Sequence, residues 1–243
     1  RDSSTSRGLG DVYKRQSINI MKLTALNKAE ALRYLGYGSH EPDERIRSLL
    51  DECEKRLLEC ISPAYIYRVF DLRREGGSIF ADGTLLSLKG KDIEAHLEKC
   101  GRCALMCVTL SSGADRLIRQ LEAVDMTKAV ITDCLASAAV EQVCDIAEEE
   151  IKASVKNCFF TWRFSPGYGD FPIDIQRNFL EVLNAPKRIG LNTTESMILT
   201  PRKSVTAVMG ISDHEIPKGR RGCVTCNIRE KCVYRRKGEH CGF

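Results

Sequence analysis

The sequence has no uninterrupted apolar stretch near the ~20 residues that a helix needs to cross a bilayer, which excludes a membrane-spanning helix. It also has no charged and apolar leader ahead of its twelve cysteines, so no oxidising destination is indicated. We therefore expect a soluble, cytoplasmic protein whose thiols are packed in the core, bound to metal or redox-active.

What the sequence does contain is enough apolar material for a core and an uneven distribution of charge. Its 243 residues are 43% hydrophobic, which suffices for one large domain or two small ones. The net charge is +4, but residues 217–243 alone carry eight Lys/Arg and two Glu. The remainder is slightly acidic, which argues against a surface that coats nucleic acid and indicates a basic, separate tail.

Three regions follow one another along the chain. Residues 1–20 are rich in Ser, Thr, Gly and charge and resemble adapter-derived read-through, so we expect a disordered, non-native leader with Met21 as the natural start. Residues 21–212 form the predicted folded domain. Residues 213–243 form the basic tail, in which four cysteines stand close together.

Two helices are predicted near the start of the folded domain. Asn27 followed by Glu30 matches a capping box, and Gly36 predicts the end of that helix. A second helix is predicted after Pro42, where apolar residues recur at intervals of three and four. Cys53 falls in this apolar series, so we interpret it as a core residue rather than a ligand.

A long helix is predicted from about Thr127 to Lys152, with Ser137 as the place where it could be interrupted. One side of it carries carboxylates every three to four residues: Glu141, Asp145, Glu148, Glu149 and Glu150. Such a run is typical of solvated surface, but carboxylates at this spacing can also meet a cationic ligand. Glu141 and Asp145 are the candidates for that contact.

Two further patterns predict strands. The dipeptide Asp82-Gly83 favours a short hairpin. The continuous apolar run at 104–110 has the length of a strand and suits a sheet that is buried on both faces.

Three cysteines next to this run have the CxxCxxxC spacing of a metal motif: Cys100, Cys103 and Cys107. Because two of them frame or lie in the apolar strand, where thiols behave as small hydrophobes, we interpret them as packed residues.

The most informative segment is a loop that follows a predicted strand and reads Ser-Pro-Gly-Tyr-Gly-Asp from Ser165. Its proline fixes one side, while Gly167 and Gly169 allow backbone angles and a close ligand approach that a Cβ would prevent. Arg163 just before it offers a planar fork of donors suited to a carboxylate, and Tyr168 adds a flat face and a hydroxyl. The alternative is an ordinary strand-to-helix turn whose arginine pairs with a surface acid.

The pattern continues beyond this loop with KRIGLNTTESMILTP at 187–201 and a Ser-Val-Thr strand at 204–206. Together with the Arg-Phe-Ser-Pro-Gly-Tyr loop, these segments resemble the activation domain of vitamin B12 (cobalamin)-dependent methionine synthase, in particular its stand-alone forms. The resemblance covers about residues 27–212, and residues 163–206 carry its specific part.

The resemblance implies an α+β fold with a twisted antiparallel sheet flanked by helices. It also implies reductive reactivation: S-adenosylmethionine bound by this domain gives its methyl group to cob(II)alamin on a corrinoid-binding methionine synthase subunit, with one electron from a flavodoxin- or ferredoxin-type donor. The chain would then be an accessory to methyltransferase activity in methionine biosynthesis. No Gly-x-Gly-x-x-Gly follows a predicted strand, so a Rossmann methyltransferase is not expected.

Matched residue by residue, the resemblance implies that Arg163 binds the carboxylate end of S-adenosylmethionine and that Ser165, Gly167 and Tyr168 line the ligand. Glu195 is a candidate lining residue in the second motif, or part of a Thr-Glu-Ser triplet that holds its own loop by hydrogen bonds. An aspartate near the domain start and aromatic residues beyond the Ser-Val-Thr strand also hold the ligand in this family, and neither has a counterpart here.

The tail predicts a metal site through four cysteines: Cys223, Cys226, Cys232 and Cys241. A short Gly- and Arg-rich segment buries too little apolar area to fold alone, so thiolate coordination would supply the missing stability. The spacing does not choose between zinc and an iron-sulfur cluster. The need for an electron at cobalt favours the cluster.

Two alternative functions remain open from the sequence. The tail could be a zinc module that contacts nucleic acid, although it offers only Tyr234 and Phe243 as stacking surfaces. The chain could also be a non-catalytic partner of a corrinoid protein that has kept the fold and lost S-adenosylmethionine binding.

Overall fold

The computed structural model describes residues 18–37 and 40–216. The four tail cysteines and residues 1–17 lie outside the described residues. None of the described helices is long and apolar enough to span a bilayer.

The described chain forms nine strands and seven α-helices. The strands are β1 (Ile18–Ile20), β2 (Ala64–Glu75), β3 (Ser78–Ala81), β4 (Ser87–Leu88), β5 (Arg102–Thr109), β6 (Phe159–Phe160), β7 (Asn192–Thr193), β8 (Leu199–Thr200) and β9 (Ser204–Ser212). The helices are α1 (Lys28–Tyr34), α2 (Glu44–Cys60), α3 (Lys91–Leu97), α4 (Ser112–Glu122), α5 (Met126–Ser154), α6 (Gln176–Leu183) and α7 (Ala185–Ile189).

Seven of these strands make one antiparallel sheet in the order β4-β3-β2-β5-β9-β6, with β1 also paired to β2. Strand β5 lies in the middle, where Cys107 stands opposite Ile66 of β2 and Thr206 of β9. Strands β7 and β8 form a separate two-stranded hairpin. The predicted α+β fold with an antiparallel sheet flanked by helices is confirmed.

Both faces of the sheet are covered, because side chains alternate between the faces of a strand. Met106 and Val108 of β5 pack with residues of α1, α2, α4 and α5. Leu105 and Cys107 point the other way and pack with residues of α3, α6 and α7. This arrangement explains why the run at 104–110 is apolar at almost every position.

The central cysteines are packed thiols. Cys103 and Cys107 are fully buried and lie four residues apart along an extended strand, a span of about 13 Å that excludes a shared metal ion. Burial raises the pKa of both thiols far above the ordinary value and raises the pKa of Cys100 to about 11. No metal-binding group of three His, Cys, Asp or Glu occurs among residues 18–37 and 40–216.

One expectation about element boundaries is wrong, and the open question of a break in the long helix is settled. Residues Ile18–Ile20, assigned to a disordered leader, form β1 on the edge of β2, and the Asn19 amide donates to both oxygens of Glu150 at 3.1 and 3.0 Å. Helix α5 continues through Ser137, whose hydroxyl donates to the Asp133 carbonyl at 3.1 Å within the same helix. Pairing across the sheet and packing along the whole helix override these local signals.

Candidate functional site

The candidate site lies where the chain leaves β6 and passes between α3 and α5. Strand β6 is only two residues long, but Phe164 pairs once more with Val208, through hydrogen bonds of 2.9 and 2.8 Å between their backbones. Trp162 and Phe164 both contact His96 of α3. The residue between them, Arg163, directs its side chain to α5 on the opposite side.

Arg163 is the centre of an ion cluster with three carboxylates of α5. Its guanidinium lies 2.8 Å from Asp145, 3.1 Å from Glu141 and 3.5 Å from Glu148. The Arg163 side chain is 18% exposed, whereas that of Asp145 is 69% exposed. Lys152 pairs with Glu148 at 2.9 Å on the far side. Around the guanidinium itself, one positive charge therefore faces three negative ones.

The floor of this cluster is apolar. Cys144 is fully buried in the layer between α5 and the sheet, and burial raises the pKa of its thiol far above the ordinary value. It is therefore a neutral packing group. The charge of the cluster comes only from the guanidinium, which is always protonated in proteins, and from its carboxylate partners.

The turn after Arg163 is closed by its own backbone. The amide of Tyr168 donates to the Ser165 carbonyl at 3.1 Å, and the amide of Gly167 donates to the Phe171 carbonyl at 2.8 Å. Gly167 has a φ of +94°, a conformation that a residue with a Cβ rarely adopts. Phe171 is buried beneath the turn, while the Tyr168 ring is 67% exposed. The turn thus presents its backbone and one aromatic ring to solvent.

The same turn is attached to α3 by reciprocal hydrogen bonds between two aspartates. The Asp170 carboxylate accepts from the backbone amides of Lys91 and Asp92 at 2.8 and 3.0 Å. The Asp92 carboxylate accepts from the Asp170 amide at 3.1 Å. These bonds lower the pKa of Asp170, because they stabilise its ionised form.

Glu195 lies in the β7–β8 hairpin. It is exposed and has no hydrogen-bond or ion-pair partner within the described part of the chain. Its neighbours Thr194 and Ser196 are joined by a hydrogen bond of 3.0 Å between their hydroxyls, and Thr194 also accepts from the Ile198 amide at 3.1 Å. The flanking residues, rather than Glu195, hold this turn.

The structure therefore places Arg163 of the first motif against one side of the long helix. Arg163 meets Glu141 and Asp145, and Ser165, Gly167 and Tyr168 follow in the adjacent turn. The present contacts of Arg163 are with acidic side chains, as the alternative interpretation of an ordinary turn expects. Its role toward a ligand, and those of the turn residues and Glu195, stay predictions.

Sequence reasoning missed the contribution of α3. His96 is buried, and its Nε2 lies 2.7 Å from the Thr161 hydroxyl and 2.9 Å from the Trp162 carbonyl. Asp92 and Asp170 are also outside the predicted set. The sequence offers one signal for this contribution: Asp92 lies in the first turn of a helix that starts after Gly90. Glycine has no side chain that could cap the helix.

No protein-family model and no curated protein matches this chain. Among solved structures, the crystal structure of the MetH reactivation domain bound to AdoHcy matches with a TM-score of 0.59 at 15% sequence identity, over 94% of this chain and 88% of that one. At this identity the similarity establishes the fold. The chain has the fold of a methionine synthase reactivation domain, as its loop motifs predicted.

Proposed function

We propose that this chain binds S-adenosylmethionine at the Arg163 cluster and presents its methyl group to cob(II)alamin on a corrinoid-binding methionine synthase partner. The observation that carries the proposal is a half-buried arginine with an excess of carboxylates beside an open glycine turn. The similar fold of a reactivation domain that binds AdoHcy, S-adenosylhomocysteine, supports the same ligand class.

The charge of the cluster suits this ligand. S-adenosylmethionine carries a carboxylate, an ammonium and a sulfonium near neutral pH, and is thus a net cation. Asp145 is the most exposed partner of Arg163, so it is the least costly to release from the guanidinium. The fork of Arg163 would then bind the ligand carboxylate, and the freed carboxylates would face its positive groups.

The neighbouring turn supplies the remaining surface. Gly167, Tyr168 and Gly169 are exposed, so the backbone of the turn is accessible to a ligand. Tyr168 is exposed and can pack its ring on an adenine or a ribose. Ser165 closes the turn through its carbonyl, so its contribution is to the shape of the site.

The chemistry would come from the ligand and the partner. One electron from a low-potential flavodoxin or ferredoxin would reduce the partner's cob(II)alamin to cob(I)alamin, which would accept the methyl group of S-adenosylmethionine as a methyl cation, so that AdoHcy would leave. The residues of this chain bind and orient the sulfonium and exclude water, which are effects of proximity rather than of acid-base catalysis. The chain is in this view an accessory protein.

The test is calorimetric titration of the full chain with S-adenosylmethionine, with and without a cobalamin-loaded partner subunit. We expect saturable binding by the wild type and a large loss in Arg163→Ala. Arg102→Ala is the matched control, because Arg102 is 26% exposed and also holds an ion pair, with Asp213 at 2.7 Å. Absence of binding by the wild type under both conditions would reject the proposal.

A second candidate is a corrinoid-protein partner that has kept the fold without the ligand. The observation that favours it is that Arg163 already has three carboxylate neighbours of its own. The same titration separates the two functions: the second predicts binding of the corrinoid subunit that does not depend on S-adenosylmethionine.

For the tail, we propose that Cys223, Cys226, Cys232 and Cys241 bind an iron-sulfur cluster that carries the electron toward cobalt. These residues lie outside the described residues, and the proposal rests on their spacing and on the electron that reactivation requires. Anaerobic purification followed by visible spectroscopy and metal analysis tests it. A colourless protein with one equivalent of zinc would contradict the redox role.

A further inference from the structure

We propose that Asp92 and Asp170 are positioning residues that set the backbone of residues 163–171 for ligand binding. We name their reciprocal hydrogen bonds the Asp92–Asp170 clasp. This inference rests on the proposed function, because the ligand is the one proposed above.

The clasp joins two segments that are distant in the sequence. Asp170 caps α3 by accepting from the amides of Lys91 and Asp92, at 2.8 and 3.0 Å, and Asp92 returns a bond by accepting from the Asp170 amide at 3.1 Å. Helix α3 has no local side-chain cap, since it begins after Gly90. The loop that carries the candidate site therefore supplies the cap itself.

Two glycines, Gly90 and Gly169, allow the two segments to approach each other this closely. A Cβ added at Gly169 would lie 2.0 Å from the Asp92 carboxylate, and one at Gly90 would lie 2.7 Å from the Asp170 carboxylate. Both glycines also have positive φ, of +57° and +127°. A side chain at either position would push the two aspartates apart, so the glycines serve the clasp as well as the turn.

Helix α3 holds the same loop at a second place. His96, near its other end, contacts the backbone of Trp162 at 2.9 Å, and its ring lies 4.8 Å from the Trp162 ring and 5.0 Å from the Phe164 ring, centroid to centroid. Arg163 and the turn thus lie between two attachment points on one short, rigid helix. Without the clasp the turn would lose its attachment to the start of α3 and would be held by its own backbone hydrogen bonds and the buried Phe171.

Asp92 and Asp170 are exposed, so their bonds compete with water, and we expect Asp170 to contribute no more to folding than an ordinary exposed helix cap such as Asp43. Their effect on the site is geometric: they fix where the Gly167 and Tyr168 backbone stands relative to the Arg163 guanidinium. A small shift of a binding group costs far more affinity than stability. This difference separates a positioning role from a merely structural one.

The test compares Asp170→Ala with Asp43→Ala, a matched control. Asp43 also caps a helix, accepting from the Ile46 amide at 2.8 Å, but it lies at the start of α2. By calorimetry on the full chain, we expect Asp170→Ala to weaken S-adenosylmethionine binding about ten- to a hundredfold. Asp43→Ala should change the dissociation constant by no more than about twofold.

The only tryptophan of the chain supplies a readout that needs no ligand. Trp162 packs edge-on against His96, so its fluorescence reports how the loop lies on α3. We expect Asp170→Ala to shift Trp162 emission and increase its quenching by acrylamide, with Asp43→Ala unchanged. If the wild type binds no S-adenosylmethionine, the proposed function fails while this readout still tests the clasp.

Two results would overturn the inference: Asp170→Ala binding S-adenosylmethionine as well as Asp43→Ala does, or an unchanged Trp162 signal in Asp170→Ala. If Asp170→Ala fails to fold, Asp170→Asn replaces it. Its amide oxygen can accept from only one of the two α3 amides well, so we expect a smaller loss of affinity in the same direction.

Discussion

Two partly buried arginines lie beside the central sheet, and their surroundings differ in charge. Arg163 is 18% exposed and faces three carboxylates within 3.5 Å. Arg102 is 26% exposed and faces one carboxylate, Asp213, at 2.7 Å, together with the neutral thiol of Cys158 at 3.1 Å. The first cluster has excess negative charge, whereas the second is balanced.

This difference in charge decides whether each arginine cluster can bind a charged ligand. A balanced pair has no charge left for a ligand, so the Arg102 cluster serves to attach the end of β9 to β5. Binding of a cation is favourable at an unbalanced cluster, because the cation reduces the repulsion between neighbouring carboxylates. The four predictions below test this difference, two on each cluster.

The largest expected effect is on ligand binding in Arg163→Ala. Loss of a charge-assisted pair to the ligand carboxylate should weaken S-adenosylmethionine binding by about 1.5 to 3 kcal/mol, measured by calorimetry. Arg102→Ala should bind the ligand as the wild type does. Equal affinity of the two variants would remove the functional distinction between the clusters.

The next effect concerns discrimination between the sulfonium ligand and its neutral thioether product. The double variant Glu141→Gln, Asp145→Asn should lose about 0.5 to 1 kcal/mol more affinity for S-adenosylmethionine than for AdoHcy, since only the former carries the sulfonium charge. Competition titrations with both ligands measure the ratio. A proportional loss for both would show that the acidic face does not sense this charge.

A smaller effect is expected on the reactivity of Cys158. Burial, and then its hydrogen bond to Asp213, raise the pKa of this thiol. Asp213→Asn should therefore lower the pKa of Cys158 and speed its alkylation near pH 8, because the thiolate is the nucleophile. Peptide mass spectrometry follows the rate, with the buried Cys144 as an internal control. A slower rate in the variant would contradict the assigned contact.

The smallest effect is a pH dependence of the balanced cluster. Hydrogen bonds from Cys158 and Arg102 lower the pKa of Asp213 below its ordinary value of 3.8. The contribution of Asp213 to stability is therefore complete above pH 3.8 and disappears as the pH falls through the lowered pKa. Urea unfolding of wild type and Asp213→Asn should differ at pH 6 and converge in strong acid. A stability difference that persists in strong acid would show that it does not come from the ionised Asp213 carboxylate.

Several elements follow from short-range patterns. The Asn27 side chain accepts from the Glu30 amide at 3.0 Å, and Gly36 follows the helix with a φ of +84°, as predicted. The Asp82-Gly83 pair lies in the turn between β3 and β4, which do form a hairpin. Each of these depends on contacts between residues near one another in the chain, which the sequence displays directly.

Other features could not be predicted because distant groups compete for the same partner. The backbone amide of Asn27 donates to Gln142 of α5 at 2.9 Å rather than to Glu30, which is bound instead by Arg33. Ile146 of α5 is apolar, yet its side chain is 38% exposed. In the candidate site, the sequence shows the acidic face of α5 as a pattern, but it does not show that Arg163 pairs with this face.

The sequence by itself determined a strand buried on both faces, local caps and turns, and a glycine loop preceded by an arginine, because a continuous apolar run and backbone preferences act over a few residues. The antiparallel α+β fold was implied by the resemblance of its motifs to a known family. Only the tertiary structure decided that Arg163 stands against three carboxylates of α5 and that Asp170 caps α3 across 78 residues of chain. The physical reason is that charges and hydrogen-bond donors choose partners by distance in space, which packing of the whole sheet and its helices sets.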